Sequence, residues 1–291
     1  MKKSTIILLI LIFLVLLTTN AWADRVEKVI EESFALDSTG SFSLTNVAGN
    51  IDVYSWDKEE VKMVATKSIS SWGTDDPEEL LDRIKIEITS QPKNLRIHTR
   101  YPTFSWIKNA RVDYRLWIPE DTSVQLESVS GTIQMEEHLN WVYAKTVSGN
   151  IKLNNIKGNV EVKTVSGQVS ARQIKGGIRA NSVSGNLIFR DSQGSLSYLH
   201  TTSGKIEAEL TAIDEDASSM SLSTVSGGIT LYLPEDASFD LDISTVSGEI
   251  NTKFKVLVES ISKNQLQGEV GDGGINIELN TISGDISLRK L

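Results

Sequence analysis

Few side chains in this 291-residue chain could do chemistry: it has no cysteine and only three histidines. His98, His138 and His200 are scattered, with no HExxH or HxH spacing. Without thiolates or clustered imidazoles, the usual donor sets for a transition metal are missing. No G-x-S-x-G elbow or phosphate loop occurs. Acid–base work at a sugar needs two carboxyls in one groove, roughly 5–10 Å apart. The candidates are Asp75 with Asp76, and Asp214 to Asp216. The first pair reads better as a helix cap and the second as a solvated loop. No catalytic, cofactor-binding or metal residue is therefore assigned, and no cofactor is expected.

Binding residues are easier to find. Trp141 and Tyr143 are two apart, so in a strand they share one outer face. Paired rings there could stack on sugars, or they could lie beneath a cap with Trp106 and Trp117. Asn150, Gln168 and Asn186 recur at one repeat position and form a candidate polar face. Their plainer use is an amide ladder along stacked strands.

These residues sit in a repeat. Gly131, Gly149, Gly158, Gly167, Gly176, Gly185 and Gly194 fall on one nine-residue grid, with Asn140 at the vacant point. With glycine as position 0, apolar residues fill +2 (Ile133, Val142, Ile151, Val160, Val169, Ile178, Leu187) and +4 (Met135, Ala144, Leu153, Val162, Ala171, Ala180, Phe189). Positions +1 and +3 are mostly polar. That alternation predicts strands with one buried face. Position −2 (Val129, Val147, Ile156, Val165, Ile174, Val183) is also expected to face the core. Gly149 and Gly167 are expected at positive φ, and the Ser and Thr at −1 and −3 are expected to satisfy turn backbone. Ser-Gly phrases end alternate units, at Gly131, Gly149, Gly167 and Gly185. One coil should therefore hold about 18 residues and two strands, with like positions stacked in columns. The fold class is all-β: a parallel β-solenoid, right-handed by the crossover rule, preceded by a β-rich N-terminal cap with one short helix. Hexapeptide helices, calcium-binding nonapeptide rolls and leucine-rich repeats fit the spacing less well.

The remaining chain organises around this stack. Residues 1–23 read as a signal peptide: Lys2 and Lys3, an apolar run from Ile6 to Leu17, then Ala21-Trp22-Ala23. The twelve-residue run is short of the roughly 20 that span a bilayer. No stable membrane span is expected after cleavage. Residues 24–125 form the cap region, with a hairpin at SQPKN (90–94) and a helix capped by Asp76 with Pro77 at its first position. Residues 126–291 form the solenoid, with insertions at 212–218, 234–237 and 253–274; the last reads as an outer hairpin or a short helix. Cleavage removes Lys2 and Lys3, so Lys+Arg falls from 29 to 27 against 38 Asp+Glu, a net charge near −11. That disfavours nucleic acid as a partner.

The stretches NVAGNIDVYSWDKEEVKMVA (46–65) and VDYRLWIPED (112–121), with the serial TVSG phrases, resemble the bacterial envelope family known as "putative adhesin", a domain of unknown function. The resemblance spans nearly all of the chain after residue 23. It implies the solenoid architecture and an exported, envelope setting, periplasmic or extracellular, and supplies no catalytic residues. The leading expectation is a non-catalytic scaffold or adhesion-type binding module for an envelope protein or glycan. An envelope-stress regulatory sensor binding a partner, and a polysaccharide-active β-helix enzyme, are the alternatives. A sensor would need clustered exposed apolar residues in 253–274; an enzyme would need a carboxylate-lined groove.

Overall fold

A computed structural model describes residues 25–70, 76–102, 110–214, 217 and 219–291. The expected signal peptide, Asp75, Trp106, Glu215 and Asp216 lie outside them. The early strands are β1 (Arg25–Ala35), β2 (Ser41–Ala48), β3 (Ile51–Trp56) and β4 (Glu60–Ser70), followed by helix α1 (Pro77–Arg83), β5 (Lys85–Gln91), β6 (Asn94–Arg100) and β7 (Arg111–Pro119). The repeats give β8 (Ser123–Ser130), β9 (Ile133–His138), β10 (Val142–Ser148), β11 (Ile151–Ile156), β12 (Val160–Ser166), β13 (Val169–Ser184), β14 (Leu187–Ser203), β15 (Ile206–Ile213), β16 (Ser219–Ser226) and β17 (Ile229–Leu233). Last come β18 (Phe239–Ser247), β19 (Ile250–Thr252), β20 (Val256–Ile261), β21 (Gln265–Val270), β22 (Ile275–Ser283) and β23 (Ile286–Lys290). Among the described residues the fold is all-β apart from α1. No helix among the described residues is long and apolar enough to cross a membrane.

Val142 pairs in parallel with Val160, and Ile151 with Val169, an offset of 18 residues in both cases. Two layers result. The first runs β5-β6-β2-β8-β10-β12, through the second halves of β13 and β14, then β16-β22-β18-β21-β20. The second runs β1-β4-β7-β3-β9-β11, through the first halves of β13 and β14, then β15-β17-β23-β19. Both layers pass without a break from the 24–125 region into the 126–291 region. The order departs from sequence at both ends: β2/β3 slot between β6/β7 and β8/β9, and β22/β23 slot between β16/β17 and β18/β19. The extra residue after Gly194 is absorbed as a bulge facing Gly177 to Arg179.

Between the layers the +2 and +4 residues interlock. Ile133, Met135, Val142, Ala144, Ile151, Leu153, Val169 and Phe189 are all buried. Position −2 divides. Ile156 and Ile174 are buried, but Val129, Val147, Val165 and Val183 stand 38–49% exposed. The expectation that Val147 and Val165 face the core is therefore wrong. Strict alternation continues from +2 and +4 to −3, so Thr146, Thr164 and Ser182 turn inward and the next residue must turn out. In the other units a residue with positive φ (Glu137, Asn155, Gln173, Asp191) shifts the parity, and −2 falls inside. The exposed valines form a ridge along one edge of the stack.

The corner glycines also differ from expectation at one position. Gly167 has a φ of 157°, but Gly149 is not in the left-handed region. Close stacking is the shared cause. A Cβ on Gly167 would meet the carbonyl oxygen of Gly149 at 1.9 Å, and one on Gly185 would meet that of Gly167 at 1.9 Å. The inward hydroxyls sit beside this glycine column. Thr201 Oγ1 donates to the Gly185 carbonyl and Thr224 Oγ1 to the Gly204 carbonyl, each at 3.2 Å. Thr146, Thr164 and Ser182 have no such partner.

The ends are built differently. At the N-terminal end, the carboxylate of Asp76 accepts from the Glu78 N–H and starts α1, as its sequence signals. Leu81 and Ile84 are buried under the helix, and Lys67 Nζ donates to the Ile84 carbonyl at 2.6 Å. Burial holds the Lys67 amine below its ordinary pKa. The hairpin at 90–94 joins β5 to β6. At the other end, 253–274 folds as a hairpin rather than a helix: β21 pairs antiparallel with β18, and β20 with β21.

Candidate functional site

Three outer surfaces carry side chains able to bind. On the first layer, Trp141 and Tyr143 are brought together, half-buried, with ring centroids 6.0 Å apart and planes 22° apart. Lys163 Nζ lies 5.3 Å from the centre of the Tyr143 ring. Trp117 belongs to the opposite layer, so these rings do not share a cap with it. Asn150, Gln168 and Asn186 stack at the Ser-Gly corner, far along the strand from that aromatic pair. Asn150 Oδ1 accepts from the Gln168 N–H, and Asn186 Oδ1 from the Lys205 N–H, both at 2.9 Å. Each amide oxygen ties one coil to the next.

The outer face of the second layer holds features that the repeat grid does not flag. Tyr54 stacks on Trp117 with centroids 5.9 Å apart, and Trp56 adjoins Trp117 at 6.5 Å. Lys58 and Lys62 lie over Trp56 and Trp117. The alternation in Tyr54-Ser55-Trp56 was the available signal, since it places both rings on one face. Tyr54 is also register-paired with Glu136, which leads along the rung to Asn154 and Arg172. There an open trough of about 730 Å³ is lined by Gln134, Glu136, Lys152, Asn154, Arg172 and Asp191, among others.

In the trough, Arg172 pairs with Asp191, and Glu136 accepts from the Gln134 amide. A hydrogen bond from Arg172 holds the Asp191 carboxyl below its ordinary range. Burial, then the neighbouring Asp191, raises Glu209. Glu136 and Asp191 lie three strands apart, roughly 14 Å at strand spacing.

The histidines are dispersed as expected. His138 is buried: Nε2 bonds the Thr122 carbonyl at 2.6 Å and Nδ1 meets Ser55 Oγ at 2.9 Å. The carbonyl can only accept, so Nε2 carries the proton and Nδ1 accepts from the serine. Burial lowers its pKa to about 4. His200 Nδ1 bonds Ser223 Oγ on the first layer's outer face. Among the described residues no cluster of three or more His, Asp or Glu could hold a metal ion.

The sequence profile of the Toastrack DUF4097 family matches residues 41–289, or 249 of the 291 positions. The chain belongs to that family. The match covers this Toastrack protein from β2 almost to the end of β23, and so spans both layers. Among solved structures, a "putative adhesin" from Parabacteroides distasonis aligns with a TM-score of 0.47 at 9% identity, covering 91% of this chain and 97% of that one. A "putative adhesin" from Bacteroides fragilis aligns at 0.40 with 11% identity, covering 91% and 97%. A "putative lipid binding protein" from Parabacteroides distasonis aligns at 0.39 with 13% identity, covering 92% and 98%. No curated protein matches the sequence.

Proposed function

We propose that this Toastrack protein is an exported, non-catalytic β-solenoid that works as an envelope scaffold or adhesion-type binding module. Its ligand is an envelope protein or glycan, met in the periplasm or outside the cell. Export rests on residues 1–23, and a right-handed coil on the crossover rule. One observation carries the reading. The trough on the second layer is wide, open and polar, and its two carboxylates are tied to neighbouring side chains, Asp191 to Arg172 and Glu136 to Gln134, rather than aimed at a common point. Such a surface offers many weak contacts to an extended ligand. Trp141 with Tyr143, and the column of Asn150, Gln168 and Asn186, are further candidate contacts.

A specific observation favours a sensor as the second reading. Leu257, Val258 and Ile261, inside 253–274, are exposed and clustered at one end of the stack, as a partner face requires.

The test is binding of the purified protein to envelope polysaccharide and envelope protein fractions, with Arg172→Ala and Asn154→Ala beside the native chain. Binding weakened by either substitution, without release of sugar ends, supports the module. Release of reducing or unsaturated sugar ends, abolished by one Asp or Glu substitution, overturns it.

A further inference from the structure

On the outer face of the second layer, one line of side chains crosses the coils perpendicular to their strands. Register pairs Trp117 with Tyr54, Tyr54 with Glu136, Glu136 with Asn154, and Asn154 with Arg172. These residues stand on the consecutive strands β7-β3-β9-β11-β13, so the line runs about 19 Å along the stack at strand spacing. Its two halves differ in chemistry. Trp117 and Tyr54 are half-buried rings, with centroids 5.9 Å apart and planes 28° apart. Glu136, Asn154 and Arg172 line the open trough of about 730 Å³, and Tyr54 is the ring beside it. Gln134 Nε2 donates to Glu136 Oε1 at 3.1 Å and holds that carboxylate, while Asp191 holds Arg172. Asn154 is exposed between them. The line thus presents an acceptor, then an amide that both donates and accepts, then a donor. Lys152 and Arg172 balance Glu136 and Asp191, so the charges lining the trough cancel.

We propose that this line binds an uncharged, extended glycan laid along the stack axis. Its sugars stack on Tyr54 and Trp117 at one end and give hydroxyls to Glu136, Asn154 and Arg172 at the other. The inference rests on the reading of the trough as a binding surface, and it names the ligand class. A pyranose has an apolar C–H face that suits an aromatic ring and hydroxyls that suit planar donor and acceptor groups. The line supplies both in succession. An extended 1,4-linked chain advances by roughly one strand spacing per sugar, so about four sugars keep step with the line from Trp117 to Arg172. An extended peptide would need an unpaired strand edge or apolar pockets. Here β3, β9 and β11 are each paired on both sides, and the outward side chains of the trough are polar. A polyanion would need an excess of cations, and the balanced lining offers none.

The experiment is calorimetry of the purified protein against β-1,4-linked hexasaccharides of glucose and of N-acetylglucosamine, their disaccharides, and a hexasaccharide of galacturonic acid. A neutral hexasaccharide should bind at least about tenfold more tightly than its disaccharide, because the longer chain reaches both halves of the line. Its affinity should change little between low and high salt. Asn154→Ala should weaken binding about fivefold by removing the central hydrogen-bonding group. That side chain is exposed, so the variant should melt with the native chain. Tyr54→Ala should weaken binding by about tenfold, and Tyr54→Phe, which keeps the ring, should restore it. No binding of either neutral hexasaccharide, no gain over the disaccharide, affinity indifferent to both Asn154→Ala and Tyr54→Ala, or preference for the acidic hexasaccharide would each overturn the proposal. If the hexasaccharides fail while an envelope protein binds in a manner sensitive to Arg172→Ala, the glycan assignment falls and the binding module stands. If neither binds, both fall.

Discussion

The carbonyl oxygen of Gly131 lies 2.0 Å from the point where a Cβ on Gly149 would stand. Both groups are backbone, so no rotamer change relieves the overlap. The same contact recurs at 1.9 Å between Gly149 and Gly167, and again between Gly167 and Gly185. The Ser-Gly phrase therefore repeats because neighbouring coils touch through glycine at every rung of that corner.

Gly149→Ala should accordingly destabilise by about 3 kcal/mol, although alanine normally improves on glycine in a strand. Asn should be no better than Val here, because close approach and not φ is limiting. Gly177→Ala is the control: its nearest neighbour is an Asn159 side-chain oxygen at 3.2 Å, which can move. Urea midpoints check both, and equal small losses would remove the stacking argument.

Ile151 and Val147 test the register. Ile151 is buried, and Ile151→Asp should cost several kcal/mol, about 3–5, by placing an unpaired charge between the layers. Val147→Asp should cost less than about 1 kcal/mol, because the ridge already faces water. Thermal unfolding of the two variants decides, and a large loss at Val147 would mean the ridge is covered in solution.

Much of this was legible in the sequence, and the failures have a physical cause. Period-two alternation placed Ile151, Leu153 and Val169 correctly, because it follows from the pleat. The same count puts Thr146 and Thr164 inside and Val147 and Val165 outside, against the pull of their hydrophobicity. The parity shift at Asn155 left no obvious mark, since polar residues in the left-handed region resemble polar residues elsewhere. The trough was illegible for a different reason: Glu136, Asn154 and Arg172 meet across coils, and only the observed register brings them onto one rung. Asp76 and Pro77 announce α1, whereas β1 carries no repeat signature.

His138 gives the stack a pH dependence. Its folded pKa, about 4, lies below the unfolded value of roughly 6.5, so the unfolded chain binds the proton first as pH falls. Its contribution is fully present above about pH 6.5 and is lost on the way down to pH 4, at about 1.4 kcal/mol per unit. The total is about 3 kcal/mol. His138→Gln should flatten that part of the stability–pH curve relative to the native chain. Parallel curves for the two proteins between pH 4 and 6.5 would contradict this account.

Trp141 separates binding from folding. The ring is half-buried on the outer face and stacks on Tyr143, so Trp141→Ala should cost only about 1–2 kcal/mol. Trp117→Ala removes a ring wedged between Tyr54 and Trp56 and should cost more. If envelope glycans bind the first layer, Trp141→Ala should weaken binding at least tenfold, at about 1.4 kcal/mol per factor of ten, while its melting curve stays close to native. If they bind the trough instead, Trp141→Ala should bind normally and Arg172→Ala should not. Calorimetry against purified envelope polysaccharide distinguishes the two layers. Unchanged affinity in both variants, with intact folding, would place glycan recognition on neither face and leave an envelope protein as the ligand class.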